Sequence, residues 1–171
     1  RAMEHANDMV YRESTTKESS RGMGTTMVAA TLYKDTLYVT NVGDSRLYII
    51  GNEIRQITHD HSLVEEMVRL GKLTKEEGRN HPDKNIITRA IGAEETVTVD
   101  CFEEKTGIRD VILLCSDGLT NMVSNEQIQQ IIKTEKSLQK TAESLVDTAN
   151  RNGGRDNITV LLISRNSNEV K

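Results

Sequence analysis

Apolar and polar positions divide the chain into segments of two different periods. "AMEHANDMVY" (residues 2–11) places Met3, Ala6, Met9 and Val10 at helical spacing, with no capping residue ahead of it. A polar linker, "RESTTKESSRG", follows over residues 12–22. "TTMVAATLY" (25–33), "TLYVTNV" (36–42) and "RLYII" (46–50) then read as strands. They are separated by turn chemistry at Lys34-Asp35 and at Gly43-Asp44-Ser45, with a further turn at Gly51-Asn52. Strands joined by such short turns form an antiparallel sheet.

From His59 to Asn85 the period changes to that of short helices and loops. Ser62 and Glu65 make an S-x-x-E capping box for a helix through Leu63, Val64, Met67, Val68 and Leu70, with Gly71 to end it. "TKEE" (74–77) is a second such box on a shorter helix. This segment is charged with a thin apolar stripe, as expected of an insertion lying over a surface. Two strands follow, "TVTVDCFE" (96–103) and the continuous apolar run "DVILLCS" (110–116), the latter suited to a central strand. Ser124 caps a helix burying Ile128, Ile131 and Ile132. A longer helix over 137–153 carries Leu138, Ala142, Leu145, Val146 and Ala149 on one face and stops at Gly153-Gly154. "NITVLLIS" (157–164) closes as a buried strand, and the last seven residues are expected to fray. Strands and helices are thus grouped rather than alternating, which predicts an α+β fold with antiparallel sheet.

Composition narrows the function classes. The chain has 171 residues, enough for one domain with a proper core, and its net charge of −4 lacks the basic surface that nucleic acid or a membrane would require. No apolar run approaches the roughly 20 residues of a membrane-spanning helix, and the polar start resembles no secretory signal. Cys101 and Cys115, both in apolar strand-like settings, read as buried free thiols, which points to a reducing, cytoplasmic compartment. With no Trp and one Phe, the core must be built from Ile, Leu, Val and Met. The opening helix begins in mid-pattern at Arg1, which suggests a fragment or a processed chain.

Three aspartates occupy strand ends beside glycine: Asp44 in "VGDSR", Asp117 in "CSDGL" and Asp156 in "GGRDNI". Hard divalent cations such as Mg²⁺ and Mn²⁺ take oxygen ligands from a few rigid carboxylates and fill their remaining positions with water. Convergent strand-end aspartates would suit them. Taken singly, Asp44 and Asp156 read first as ordinary turn residues, whereas for Asp117, after so apolar a strand, the turn and ligand readings are balanced. His59 and His61 in "HDH" have metal-like spacing but precede a helix cap and lack further soft ligands, so a structural loop role is expected. Ser116 has no histidine in the motif to activate it, and no other nucleophile pattern appears.

The blocks "RGMGTTMVAA", "LYVTNVGDSRLYII", "ITHDHSL", "NIITRAIG", "LLCSDGLTNMV" and "NGGRDNITVLLI" are more specific together than apart. In this order they resemble the metal-dependent (type 2C) serine/threonine protein phosphatases, in particular the short bacterial members that oppose Ser/Thr kinases. The resemblance implies a pair of antiparallel sheets packed as a sandwich with helices outside. It implies Asp117 and Asp156 as ligands of a dinuclear Mn²⁺ or Mg²⁺ centre, with Gly118 in the same metal-binding block and Asp44 at an additional, weaker metal position. Residues 59–85 match the mobile flap beside the active site, and 59–92 are taken as the flap insertion within a single catalytic domain over 1–171.

The reaction implied is hydrolysis of phosphoserine and phosphothreonine by a water activated between two cations, with no covalent protein intermediate. The implied partners are phosphorylated proteins and a cognate kinase. Family members also carry an early D-G-M-G-G-H strand whose aspartate bridges both metals, and this chain has none. The expectation is therefore a catalytic domain without its first strands, inactive or nearly so alone, with exposed sheet edges that favour self-association. A shortened, non-enzymatic pseudophosphatase acting as a binding module is the alternative. An Asp-phosphorylated receiver domain would need alternating β-α units that the pattern lacks.

Overall fold

The computed structural model describes residues 1–165. The chain divides into two compact units, one of residues 1–29, 39–45 and 59–101, the other of 30–38, 46–58 and 102 onward. Among the described residues seven strands form two sheets, flanked by helices, in an α+β arrangement. Strands β1 (Met27–Tyr33), β2 (Thr36–Val42) and β5 (Asp100–Lys105) form a three-stranded sheet in the order β1-β2-β5. Strands β3 (Arg46–Ile50), β4 (Ile54–Gln56), β6 (Val111–Cys115) and β7 (Val160–Ser164) form a four-stranded sheet ordered β4-β3-β6-β7. All pairings of the second sheet are antiparallel. As its apolar run requires, β6 is central. Among the described residues no helix is long and apolar enough to cross a membrane.

The second unit has an aliphatic core. Tyr48, Ile50, Leu113 and Cys115 from the sheet meet Leu119, Ile128, Leu145 and Ala149 from the helices and Val123 from the turn before Ser124. Helices α5 (Asn125–Thr134) and α6 (Leu138–Arg151) supply Ile128, Leu145 and Ala149. Each fully buried aliphatic side chain contributes about 1.5–3 kcal/mol, so this cluster is the unit's main source of stability. The Ser124–Gln127 capping box is complete, and Gly153 and Gly154, with φ of +132° and +51°, end α6 at the expected place.

In the first unit, helix α1 (Ala2–Thr16) buries Met3, Asn7 and Ser14. Met3, Val42 and Ile91 form its small core, with Ala6, Val10, Ala29, Val97 and Val99 against it. Two expectations change here. Helix α1 runs on into the stretch read as a linker, as far as Thr16, because Ser14, Thr15 and Thr16 bond back to the carbonyls of Tyr11 and Arg12, and Asp8–Arg12 and Glu13–Lys17 pair at i,i+4. Met9, expected on the inner face, is 57% exposed. The inward position goes to Asn7, whose amide donates to the carbonyls of Glu94 and Glu95 and accepts from the Gly92 N–H. Burying an amide is tolerable when its bonds are completed in this way.

Other differences are local. Strand β4 has only three residues, too few to show an alternation. Strand β5 begins at Asp100 rather than residue 96, since Val97 and Val99 alternate by packing on the first unit's core rather than by strand pairing. Both cysteines are free, but Cys101 is exposed. Ser62 accepts from the Glu65 N–H at the start of helix α2 (Leu63–Arg69), and helix α3 (Lys75–Arg79) has its full capping box. The expectation of fraying falls, except for Arg165, outside the described residues.

Asp100 joins β5 to the segment before α2. Burial pushes its carboxyl up, but hydrogen bonds from His61 and Arg89 outweigh this and hold it below the usual 3.8. A lowered folded value contributes stability that is present above the unfolded value and is lost as pH falls below about 4. Asp100→Asn is therefore expected to flatten the acid limb of stability against pH in chemical denaturation. An unchanged acid limb would show that this carboxylate does not couple to folding.

Candidate metal centre

Strands β6 and β7 end side by side, with Cys115 opposite Val160. The residues leaving β6 therefore lie against those entering β7. Ser116 fastens the two: its hydroxyl donates to the Asn157 carbonyl at 3.0 Å and accepts from the Thr159 N–H at 3.0 Å. Its own N–H donates to the Thr159 carbonyl at 3.2 Å. The chain then turns into a one-turn helix, α4 (Asp117–Thr120), with Ser116 at its N-cap and Asp117 at its first position. Asp117, expected in a turn at Ser116-Asp117-Gly118, thus stands on a helical turn. Gly118 is buried against Asn157, and a Cβ there would run into that residue's carbonyl oxygen. Glycine at this position lets the Asp117 turn close onto the loop that carries Asp156.

The consequence is electrostatic. Burial, and then the negative charge of Asp156, push the Asp117 carboxyl above its ordinary 3.8. The Gly118 N–H, the Arg46 guanidinium and the Asn121 amide oppose this without cancelling it. The Asn121 Nδ2 donates to Asp117 Oδ2 at 3.0 Å, and Arg46 opens β3 opposite Cys115. Asp156 is exposed, and its Oδ1 accepts the Asn157 N–H at 2.7 Å. A carboxylate raised by burial and by a neighbouring carboxylate, beside that neighbour, makes a good partial ligand set for a hard divalent cation. The set is partial: among the described residues no group of three or more His, Cys, Asp or Glu side chains is placed to hold a metal ion. The remaining coordination positions would fall to water or to other groups.

Asp44 belongs to the first unit, half-buried in the turn between β2 and β3. Gly43 before it has φ +106°, and the Thr26 side chain fills the space a Cβ would need. The Ser45 and Thr26 hydroxyls are 2.9 Å apart, and buried Asn41 donates to the Gly43 carbonyl at 3.2 Å. Glycine is required in this turn.

Comparison with known proteins settles the lineage. The family model described as "Protein phosphatase 2C" matches residues 1–158. The chain belongs to the protein phosphatase 2C family. It is 48% identical over 159 residues to the serine/threonine phosphatase stp of Listeria welshimeri, covering 92% of this chain and 62% of that protein. The chain thus spans less than two thirds of that relative's length. The solved structure of serine/threonine phosphatase Stp1 from Staphylococcus aureus superposes with a TM-score of 0.92 at 36% identity, over 95% of this chain and 64% of that one. The catalytic domain of the serine/threonine protein phosphatase PstP, solved in complex with 2 manganese ions, superposes with a TM-score of 0.79 at 32% identity, over 91% of this chain and 65% of that one.

Within this family frame, Ser116, Asn121 and Arg46 are the supporting residues that the motif reading passed over. Asn121 lies four residues after Asp117, a spacing that becomes informative only once the segment is known to be helical. Ser116 was weighed only as a nucleophile, whereas its hydroxyl is occupied in joining two loops.

Proposed function

We propose that the protein containing this chain hydrolyses phosphoserine and phosphothreonine in proteins with the help of Mn²⁺ or Mg²⁺, opposing a Ser/Thr kinase. The observation that carries this reading is the joining of the Asp117 turn to the loop of Asp156 through Ser116 and Gly118, with the Asp117 carboxyl pushed up by burial and by the charge of Asp156. In a dinuclear centre these two aspartates would hold the ions, and Asp44 would serve a third position. Divalent cations bound there would offset the charge of a phosphate dianion and make a water acidic enough to attack it. The chain's own residues do the positioning: Ser116 and Gly118 set the distance between the loops, Asn121 orients Asp117 by its hydrogen bond, and the Arg46 charge offsets part of the repulsion. No protein nucleophile takes part.

In this reading residues 1–171 are one catalytic domain in the cytoplasm, with 59–92 as a flap. The chain alone is expected to release little phosphate, since two or three carboxylates are too few for a dinuclear centre. The test is phosphate release from a phosphothreonine peptide by the whole protein in Mn²⁺. Turnover that Asp117→Asn abolishes supports the proposal, and turnover that survives the substitution overturns it.

A pseudophosphatase-like regulatory module is the second reading, favoured by the lack of a three-carboxylate group among the described residues. Against it, a retired site would have no physical reason to keep Asp117 at a cost to stability. Self-association is also proposed, supported by the outer edge of β7, which borders only β6 in its sheet, and by Leu161, which is 50% exposed. Light scattering that reports only monomer at high concentration would exclude it.

A further inference from the structure

His61 uses both of its ring nitrogens. It is 7% exposed, with Nδ1 accepting the Gly43 N–H at 3.0 Å and Nε2 lying 3.1 Å from Asp100 Oδ2. A ring nitrogen that accepts a hydrogen bond carries no proton, so the neutral ring holds its proton on Nε2 and donates it to Asp100. The backbone of His61 closes a second link to the same glycine, its N–H donating to the Gly43 carbonyl at 3.0 Å. Asp100 is fixed in turn by Arg89, which donates to Oδ1 at 2.9 Å and to the Thr98 carbonyl at 3.0 Å. Arg89 Nη1 is also 3.0 Å from His61 Nε2, a close approach rather than a bond, because that nitrogen's proton points to Asp100. Asn41 joins the same two segments, donating to the carbonyls of Gly43 and His59.

We propose that His61 is a positioning residue that fixes the Gly43-Asp44-Ser45 turn and so sets the direction in which Asp44 presents its carboxylate. The role in metal binding rests on the reading of Asp44 as a ligand; the hold on the turn does not. A glycine at φ +106° has the freest backbone in the turn, so its conformation needs a restraint from outside. A buried imidazole locked in one tautomer is such a restraint, since its acceptor atom cannot rotate away while Asp100, itself fixed by Arg89, holds the opposite nitrogen. A purely structural histidine would need only the Asp100 side of this arrangement.

Two substitutions separate the two sides. His61→Asn places an amide oxygen near the Nδ1 position and retains the Gly43 bond. His61→Gln reaches the Nε2 position and retains only Asp100. In NMR spectra of the ¹⁵N-labelled chain without metal, the wild type and His61→Asn should share a low-field Gly43 amide proton that His61→Gln loses. With Mn²⁺ as probe, paramagnetic broadening of the amides at 44 and 45 should need about tenfold more Mn²⁺ in His61→Gln than in the wild type. Asp44→Asn should lose the broadening and keep the Gly43 shift. A wild-type Gly43 amide in His61→Gln overturns the positioning role. Broadening unchanged in Asp44→Asn overturns the ligand reading instead, while the Gly43 amide still decides the positioning. If His61→Gln does not fold, the imidazole ¹⁵N shifts of the wild type decide, and a proton found on Nδ1 overturns the proposal.

Discussion

Alanine at position 118 is expected to weaken the second unit and its hold on a divalent cation together. A Cβ there meets the Asn157 carbonyl oxygen and lies 3.0 Å from the carbonyl carbon. Both are backbone atoms, so no rotamer change can relieve the contact. Either the α4 turn or the loop carrying Asp156 must move away. Overpacking of this kind costs about 1–3 kcal/mol, which in a chain of this size lowers Tm by roughly 4–8 °C at the middle of that range. The move also pulls Asp117 from Asp156, and a displacement of about 1 Å in such a site can cost on the order of a hundredfold in function. Thermal unfolding and Mn²⁺ calorimetry on Gly118→Ala measure the two effects. Wild-type values for both would show that the loops do not depend on this close approach.

Asp117→Asn should act in opposite directions on stability depending on metal. Without metal, the wild-type carboxyl has a raised folded value, so ionising it disfavours the folded state. Its contribution is neutral to folding while it is protonated at low pH and becomes a penalty as pH rises from about 4 through the raised value. Asparagine removes the charge and can still accept the Asn121 hydrogen bond. The metal-free variant should be the more stable near pH 7, by less than about 1 kcal/mol because the group is half exposed and solvent screens it. In excess Mn²⁺ the order should reverse: binding stabilises the wild type by mass action, and the variant loses roughly a hundredfold or more in affinity. Melting curves with and without Mn²⁺ at pH 7 test this. The same order of stability in both conditions would mean that Asp117 does not meet the metal.

The parts of this account that were legible in the sequence are those with strong local signals. The central strand β6 is marked by five consecutive apolar or thiol residues, α5 by its capping box, and α6 by its buried face and the glycines after it. The strand-end aspartates were visible as residues, yet nothing local separates a metal ligand from a turn aspartate. That distinction depends on burial in the folded chain and on a partner 39 positions away, since burial first and then the charge of Asp156 raise Asp117. Strand β4 was hidden by its length, and the true start of β5 by Val97 and Val99, whose alternation serves a core rather than a ladder. Helix α1 was cut short because its second half is polar and is held by side-chain bonds to its own carbonyls, which hydropathy does not register. The twin bonding of His61 was least legible of all: "HDH" does not show that Gly43 and Asp100 will flank the ring.

The central claim is that Asp117 and Asp156 share a divalent cation. A calorimetric double-mutant cycle with Mn²⁺, over the wild type, Asp117→Asn, Asp156→Asn and the double variant, tests it most directly. A shared ion makes the two losses non-additive: each single substitution should remove nearly all of the binding, and the second should add little. Wild-type binding in either single variant, or losses that simply sum, would contradict the account.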